Sequence, residues 1–366
     1  MASLSDLPIR DDLRGHSPYG APQQQVRYRL NVNENTHPIP EDVARDIVES
    51  LAAAVLTANR YPDREFSELR ASLAGYLNGD GPGGVGADQV WAANGSNEII
   101  QQVLQAFGGR GRSVLGFPPT YSMHSIIAEG TGTRWLTAER DADYRISPQT
   151  VTEGIRRTRP DLVFLCAPNN PTGTPLPLET IEAAYDATDG IVLVDEAYAE
   201  FMPADAPRAT TLLPGRERLI VSRTMSKAFA FAGVRLGYLV ADAAIADALR
   251  LVRLPYHLSA LTQAAAIAAL RHAPRMLAMV DDIAAQRDRM IAELPALGYR
   301  PYESWANFVL FEGLADPQAT FSALLERDIL IRDVGIPGTL RVTAGTADET
   351  SFFLESLAQL GPGGAR

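Results

Sequence analysis

The sequence predicts an α/β protein: a three-layer αβα large domain on a mostly parallel sheet, followed by a smaller α+β domain. Three observations predict it. Between Val90 and Val240 short apolar runs alternate with helical patterns. Some of those runs are apolar throughout, as in Leu162-Val163-Phe164-Leu165 and Ile191-Val192-Leu193-Val194, which suits strands covered on both faces. From about Leu258 the pattern changes to long helices followed by short strand signals. Alternating strand and helix implies a layered α/β domain, and 366 residues suffice for two or three domains at roughly 100–200 residues each.

Residues 1–35 are polar, carry Pro8, Pro18 and Pro22, and read as an N-terminal arm. The large domain is expected over 36–275. Its strand candidates are Val90–Ala93, Ser113–Phe117, Thr133–Thr137, Asp161–Ala167, Ile191–Asp195, Arg218–Ser222 and Arg235–Val240. Helical patterns lie between them at Ser96–Phe107, Leu178–Ala187 and Ala241–Leu251, and an Ala-dense helix runs to Leu270. The small domain, 276–366, opens with a helix at Met276–Leu294 and has strand signals at Asn307–Phe311, Ile329–Arg332 and Leu340–Thr343. Gly79-Asp80-Gly81-Pro82-Gly83-Gly84 fits G-x-G-x-x-G letter for letter, but a dinucleotide site needs a strand before it and a helix after it. Leu69–Leu77 is helical in pattern and Pro82 spoils a helix start, so the segment reads as a loop.

Composition narrows the function classes. Lys plus Arg is 33 against 44 for Asp plus Glu, a net charge of −11. A field of that sign does not attract nucleic acid or anionic lipid, so any bound anion must be held by local cations. One cysteine, Cys166, excludes an internal disulfide and a Cys-based zinc site. The histidines at 16, 37, 124, 257 and 272 give no metal-ligand spacing, so no metal is expected. The first twenty residues lack the apolar core of a signal peptide. No run reaches the ~18 apolar residues of a membrane span. A cytoplasmic location is expected.

Four segments carry chemistry, each just after an apolar run, where α/β sheets collect ligands. Lys227 follows Ser222-Arg223-Thr224-Met225-Ser226, has Arg235 eight residues on, and precedes the apolar Ala228–Gly233. Partial burial and a nearby cation favour the neutral amine that attacks a carbonyl, whereas an ordinary lysine is solvated. Asp195 closes the run Ile191–Val194 in Asp195-Glu196-Ala197-Tyr198. It either caps the next element or pairs with a protonated ring nitrogen, which would make the ring an electron sink. Asn169-Asn170-Pro171-Thr172-Gly173 is a turn signal whose Asn170 could donate to a phenolate oxygen. Gly95-Ser96-Asn97-Glu98 opens a helix; Ser96 as N-cap would leave backbone N–H groups for a phosphate, with Thr224, Ser226 and Arg235 completing the cup. Together these describe a pyridoxal 5′-phosphate site.

With these motifs the chain resembles the aspartate-aminotransferase-like family, pyridoxal-phosphate fold type I. The likeness is carried by Thr224-Met225-Ser226-Lys227-Ala228-Phe229-Ala230-Phe231-Ala232-Gly233 with Arg235. It extends over Leu30–Asn35, Asn59-Arg60-Tyr61-Pro62, Ala92–Glu98, Pro168–Gly173, Val194–Tyr198, Leu330–Asp333 and Leu340–Thr343. Within the family the likeness is closest to the histidinol-phosphate aminotransferase branch. The resemblance implies that Lys227 binds the cofactor covalently and shuttles the proton at Cα, and that Asp195 pairs with the pyridine nitrogen. It implies that Asn170 and Tyr198 contact the 3′ oxygen, that Tyr121 stacks on the ring, and that Ser96, Asn97, Thr224, Ser226 and Arg235 hold the phosphate. Tyr61 would reach across a homodimer interface to the neighbouring site. Asn33, Arg332 and Arg341 would face the substrate, with Arg341 on a carboxylate and Arg332 on the distal anion. Tyr256, a core residue by composition, and Tyr19 of the arm are further substrate-contact candidates.

The reaction so implied is amino transfer between L-histidinol phosphate and 2-oxoglutarate, giving imidazole acetol phosphate and glutamate. Three alternatives stay open. An aromatic-amino-acid (phenylalanine) aminotransferase shares every motif. A phosphothreonine decarboxylase of the same fold would release carbon dioxide, against which an Arg341 placed on a carboxylate argues. A pyridoxal-phosphate-sensing regulator would need a DNA-binding domain, and the 35 or so non-basic residues ahead of the motifs do not hold a helix-turn-helix.

Overall fold

The structure, a computed structural model, describes residues 22–80 and 84–361, together with 3, 6–15, 18 and 20. The strands are β1 (Tyr28–Arg29), β2 (Val90–Ala93), β3 (Ser113–Gly116), β4 (Arg134–Thr137), β5 (Leu162–Cys166), β6 (Ile191–Asp195), β7 (Leu219–Thr224), β8 (Gly237–Ala241), β9 (Arg300–Pro301), β10 (Phe308–Glu312), β11 (Ile329–Leu330) and β12 (Thr339–Thr343). The α-helices are α1 (Glu41–Val55), α2 (Ser67–Asp80), α3 (Ser96–Phe107), α4 (Ser122–Gly130), α5 (Pro148–Thr158), α6 (Leu178–Ala187), α7 (Ala243–Val252), α8 (Ala260–Arg271), α9 (Ala273–Glu293), α10 (Pro317–Leu325) and α11 (Ala347–Leu360).

The central sheet has the order β2-β8-β7-β6-β5-β3-β4. Pairs β3–β4, β3–β5, β5–β6 and β6–β7 are parallel, while β8 runs antiparallel to both β7 and β2. Every residue of β5, β6, β7 and β8 is buried. Successive side chains of a strand point to opposite faces, so burial throughout means that both faces are covered, which is the three-layer arrangement expected. Beyond it, β12-β10-β9 form a second, antiparallel sheet against which α9, α10 and α11 are placed.

Reversal of β8 has a functional consequence. The parallel strands end at one edge of the sheet, and β8 begins at that same edge. Residues just after β3, β5, β6 and β7 therefore meet Arg235, which lies just before β8.

Two expectations change. Residues 28–35 are not an arm: β1 pairs with β11, and Leu30, Asn31 and Asn33 are buried. Their polar letters read as a loop, yet the amides are satisfied inside: Asn31 Nδ2 donates to Pro22 O (3.0 Å) and Asn33 Nδ2 to the Tyr198 hydroxyl (2.9 Å). The N-cap of α3 is Gly95 rather than Ser96, with φ +85°, a conformation that favours glycine. Residues 81–83 of the glycine-rich match lie outside the described residues, and α2, not a strand, precedes them.

Candidate active site

A cavity of ≈320 Å³ opens at this edge of the sheet, within the range of small-molecule sites. Its walls include Lys227, Asp195, Asn170, Tyr198, Tyr121 and Arg235. Of the remaining expected residues, Ser96, Asn97, Thr224, Ser226, Asn33, Arg332 and Arg341 also line it.

Lys227 is the only lysine of the chain. Its Nζ donates to Val32 O (3.2 Å). Loss of hydration, then the Arg341 and Arg235 charges, bring its pKa down to about 8, with Glu34 working the other way. A lysine so placed carries a substantial neutral fraction near physiological pH.

Asp195 is the last residue of β6 and is buried. Ser222 Oγ donates to its Oδ1 (3.3 Å), and His124 Nε2 lies 3.1 Å from its Oδ2. An N–H on Nε2 would donate to that oxygen; His124 Nδ1 has no partner among the described residues. His124 sits three residues after Tyr121, packs edge-on to that ring (5.4 Å) and is buried. Weighing histidines only as metal ligands misses it; its i, i+3 spacing from Tyr121 at the start of α4 was the available signal.

Asn170 joins two parts of the cavity: its Nδ2 donates to the Tyr198 hydroxyl (3.2 Å), and its Oδ1 accepts from Arg341 Nη1 (2.6 Å). Arg341 Nη2 also donates to Asn31 O (2.9 Å), and the guanidinium lies over the Phe308 ring at 5.0 Å. Backbone bonds of 3.0 and 2.8 Å pair Arg332 with Arg341, so both arginines reach one cavity from facing backbone positions. Asn33 lines the cavity, but its amide is engaged with Tyr198 and Thr343, so it supports those residues rather than offering open donors. Tyr121 donates to Asn97 Oδ1 (3.1 Å).

At the other end, Ser226 N–H donates to Thr224 Oγ1 (3.1 Å). Arg235 Nη1 donates to Ala232 O (3.1 Å) and lies 3.5 Å from Ser226 Oγ. A Cβ on Gly95 would stand 2.5 Å from Arg235 Nη2, and one on Gly237 would stand 2.2 Å from Ser96 N. Two glycines therefore let the start of α3 close against Arg235, joining a helix N-terminus to a guanidinium.

Two expectations do not fall in this cavity. Tyr61 and Tyr256 stack on each other at 4.4 Å and 14°, and both are exposed, Tyr61 at 80%. Neither lines the cavity of its own chain. Tyr19 lies outside the described residues.

The donor set fits pyridoxal phosphate. Burial pushes the Tyr198 phenol up, so it stays protonated; its oxygen already accepts two amide N–H groups and its hydrogen is left for an acceptor such as the 3′ oxygen. A dianionic phosphate matches the α3 start with Arg235, and a ring N–H matches the buried Asp195.

Residues 27–357 match the family Aminotransferase class I and II, the class that this fold and site define. A histidinol-phosphate aminotransferase of Paenarthrobacter aurescens (strain TC1) is 57% identical over 98% of this chain and 96% of its own. One of Frankia casuarinae is 56% identical over 96% and 90%. A crystal structure of histidinol-phosphate aminotransferase from Sinorhizobium meliloti in complex with pyridoxal-5′-phosphate superposes with a TM-score of 0.81, covering 92% of this chain and 91% of that one at 24% identity. The chain belongs to the histidinol-phosphate aminotransferases within that class. No helix among the described residues is long and apolar enough to cross a membrane.

Proposed function

We infer that this protein transfers an amino group reversibly between L-histidinol phosphate and 2-oxoglutarate, giving imidazole acetol phosphate and glutamate in histidine biosynthesis. One observation carries it: the chain's only lysine shares a cavity with buried Asp195 at one side and with Arg332 and Arg341 at another. Pyridoxal phosphate, when bound, supplies the electron sink for loss of the substrate Cα proton. The chain's residues do the rest. Lys227 would anchor the cofactor and would move the proton at the substrate Cα. Asp195, fixed by His124 and Ser222, accepts from the ring nitrogen. Ser96 N–H, Thr224, Ser226 and Arg235 hold the cofactor phosphate, Asn170 and Tyr198 hold the 3′ oxygen, and Tyr121 restrains the ring plane. Arg341 takes a carboxylate and Arg332 the distal anion, so a phosphate and a dicarboxylate can alternate in one cavity.

In this reading residues 36–275 form the cofactor-holding domain and 276–366 the smaller one, which brings Arg332 and Arg341. The protein works in the cytoplasm as a homodimer. The stacked Tyr61–Tyr256 pair, with Leu56 and Leu254 84% and 75% exposed nearby in sequence, supports an apolar face for a second copy. Tyr61 reaches the partner's cofactor phosphate from there. Light scattering should show two copies, and Tyr61→Ala should weaken pyridoxal-phosphate binding about tenfold; a fully active monomer would contradict the dimer.

Steady-state kinetics test the substrate. With 2-oxoglutarate as acceptor, kcat/KM for histidinol phosphate should exceed that for phenylalanine by about 100-fold or more, since a site built for a phosphate leaves Arg332 without its distal anion beside an unphosphorylated ring. Equal or inverted values would favour the phenylalanine aminotransferase instead, a reading the curated relatives do not favour.

A further inference from the structure

Arg140 lies outside the cavity lining, three residues after β4, and is half-buried. Among the described residues no carboxylate stands within ion-pair distance of it. Its guanidinium is spread over three oxygens from three segments. Nε donates to Phe117 O (2.7 Å), Nη1 to Tyr144 O (2.9 Å) and Nη2 to Asn169 Oδ1 (2.9 Å). Loss of hydration lowers its pKa to about 10. A cation removed from water with no carboxylate in contact, Asp141 acting on it only through its more distant charge, is costly, so its geometry calls for a function.

Asn169 is the hub of that geometry and is fully buried. Its Oδ1 also accepts from Thr120 Oγ1 (3.0 Å), while its Nδ2 donates to Pro119 O (2.9 Å) and Thr172 Oγ1 (2.8 Å). Every polar valence of the side chain is used to tie the loop 117–121 to the loop 168–174. Tyr121 directly follows Thr120 and Asn170 directly follows Asn169. Asn170 in turn holds Arg341. A chain of hydrogen bonds and one peptide link thus runs from Arg140 to the ring-stacking tyrosine and to the carboxylate-binding arginine.

We propose that Arg140 is a positioning residue for transamination: its forked guanidinium fixes Asn169, and through it holds Tyr121 and Asn170 in register across the cofactor. The inference rests on the transaminase reading of the cavity. It predicts that a rigid fork is required and that charge alone does not suffice, because a lysine ammonium cannot reach three divergent carbonyls at once.

The test uses full-length Arg140→Lys, Arg140→Met, Asn169→Ala and the double variant Arg140→Met/Asn169→Ala. For each, the affinity of the apoprotein for pyridoxal phosphate, the pH midpoint of the bound cofactor's visible band, the kinetics and the unfolding temperature are measured. Each folded single variant should bind pyridoxal phosphate about tenfold more weakly, shift the pH midpoint and raise KM for 2-oxoglutarate, with Arg140→Lys intermediate. The double variant should be no worse than the worse single, as expected for residues acting as a unit. Losses that multiply in the double variant, a wild-type Arg140→Lys, or an unchanged affinity and midpoint would overturn the proposal. If Arg140→Met does not fold, Arg140→Lys and its combination with Asn169→Ala decide it. Absence of histidinol-phosphate turnover in the wild type would count against the substrate alone, since cofactor affinity still judges Arg140.

Discussion

Lys227→Ala is expected to reduce transamination by at least about 10³-fold while leaving the unfolding transition near that of the wild type. The size follows from two losses. A positioned general acid–base group contributes about 10²–10⁴-fold, and covalent capture of the cofactor goes with it. No other lysine exists to substitute. The visible band of lysine-bound pyridoxal phosphate should vanish with the activity. Because the Lys227 side chain makes one hydrogen bond among the described residues, to Val32 O, and its ammonium is disfavoured by burial, its removal should not cost stability. Retained turnover in this variant would remove Lys227 from the chemistry.

Asp195→Asn is expected to lower kcat on the order of 10³-fold, or ~4 kcal/mol of barrier. The exchange keeps shape and keeps an oxygen for His124 Nε2–H, so packing at the end of β6 persists. What is lost is the anionic acceptor that keeps the ring nitrogen protonated, and with it the electron sink. The cofactor should still bind, because the α3 start and Arg235 are untouched, so affinity should change far less than kcat. A variant that loses affinity and kcat in equal measure would show that Asp195 merely anchors the ring. His124 is buried and contacts Asp195 directly, so its substitution should move the same observables in a smaller measure.

Much of this site was legible in the sequence because of where α/β sheets place their loops. Asn170, Asp195 and Thr224–Lys227 each follow a run apolar enough to be a buried strand, so their convergence follows from sheet topology. What escaped has physical reasons. Arg140 binds backbone carbonyls and an amide, partners that leave no pattern of charge or spacing. His124 acts through Asp195, 71 residues away, and only its helical offset from Tyr121 hinted at a shared face. Leu30–Asn35 read as an arm since buried asparagines look like loop residues until their partners, Tyr198 and Thr343, are in view. Antiparallel β8 could not be told from a parallel strand by its apolar letters, yet it brings Arg235 to the site. Tyr61 was placed by likeness to other proteins and Tyr256 by the Tyr256-His257 pair outside the shared motifs, and a single chain puts the two tyrosines together on its surface. The uniqueness of Lys227 needed only counting.

That uniqueness makes one measurement decisive. Apoprotein is mixed with pyridoxal phosphate at a series of pH values, reduced with borohydride, and the adduct located by mass spectrometry. One pyridoxyl group should appear on Lys227, and its rate of formation should rise with pH through a midpoint near about 8, because the neutral amine is the reactive form. Labelling that spares Lys227, or a rate on Lys227 flat across that midpoint, would contradict the site.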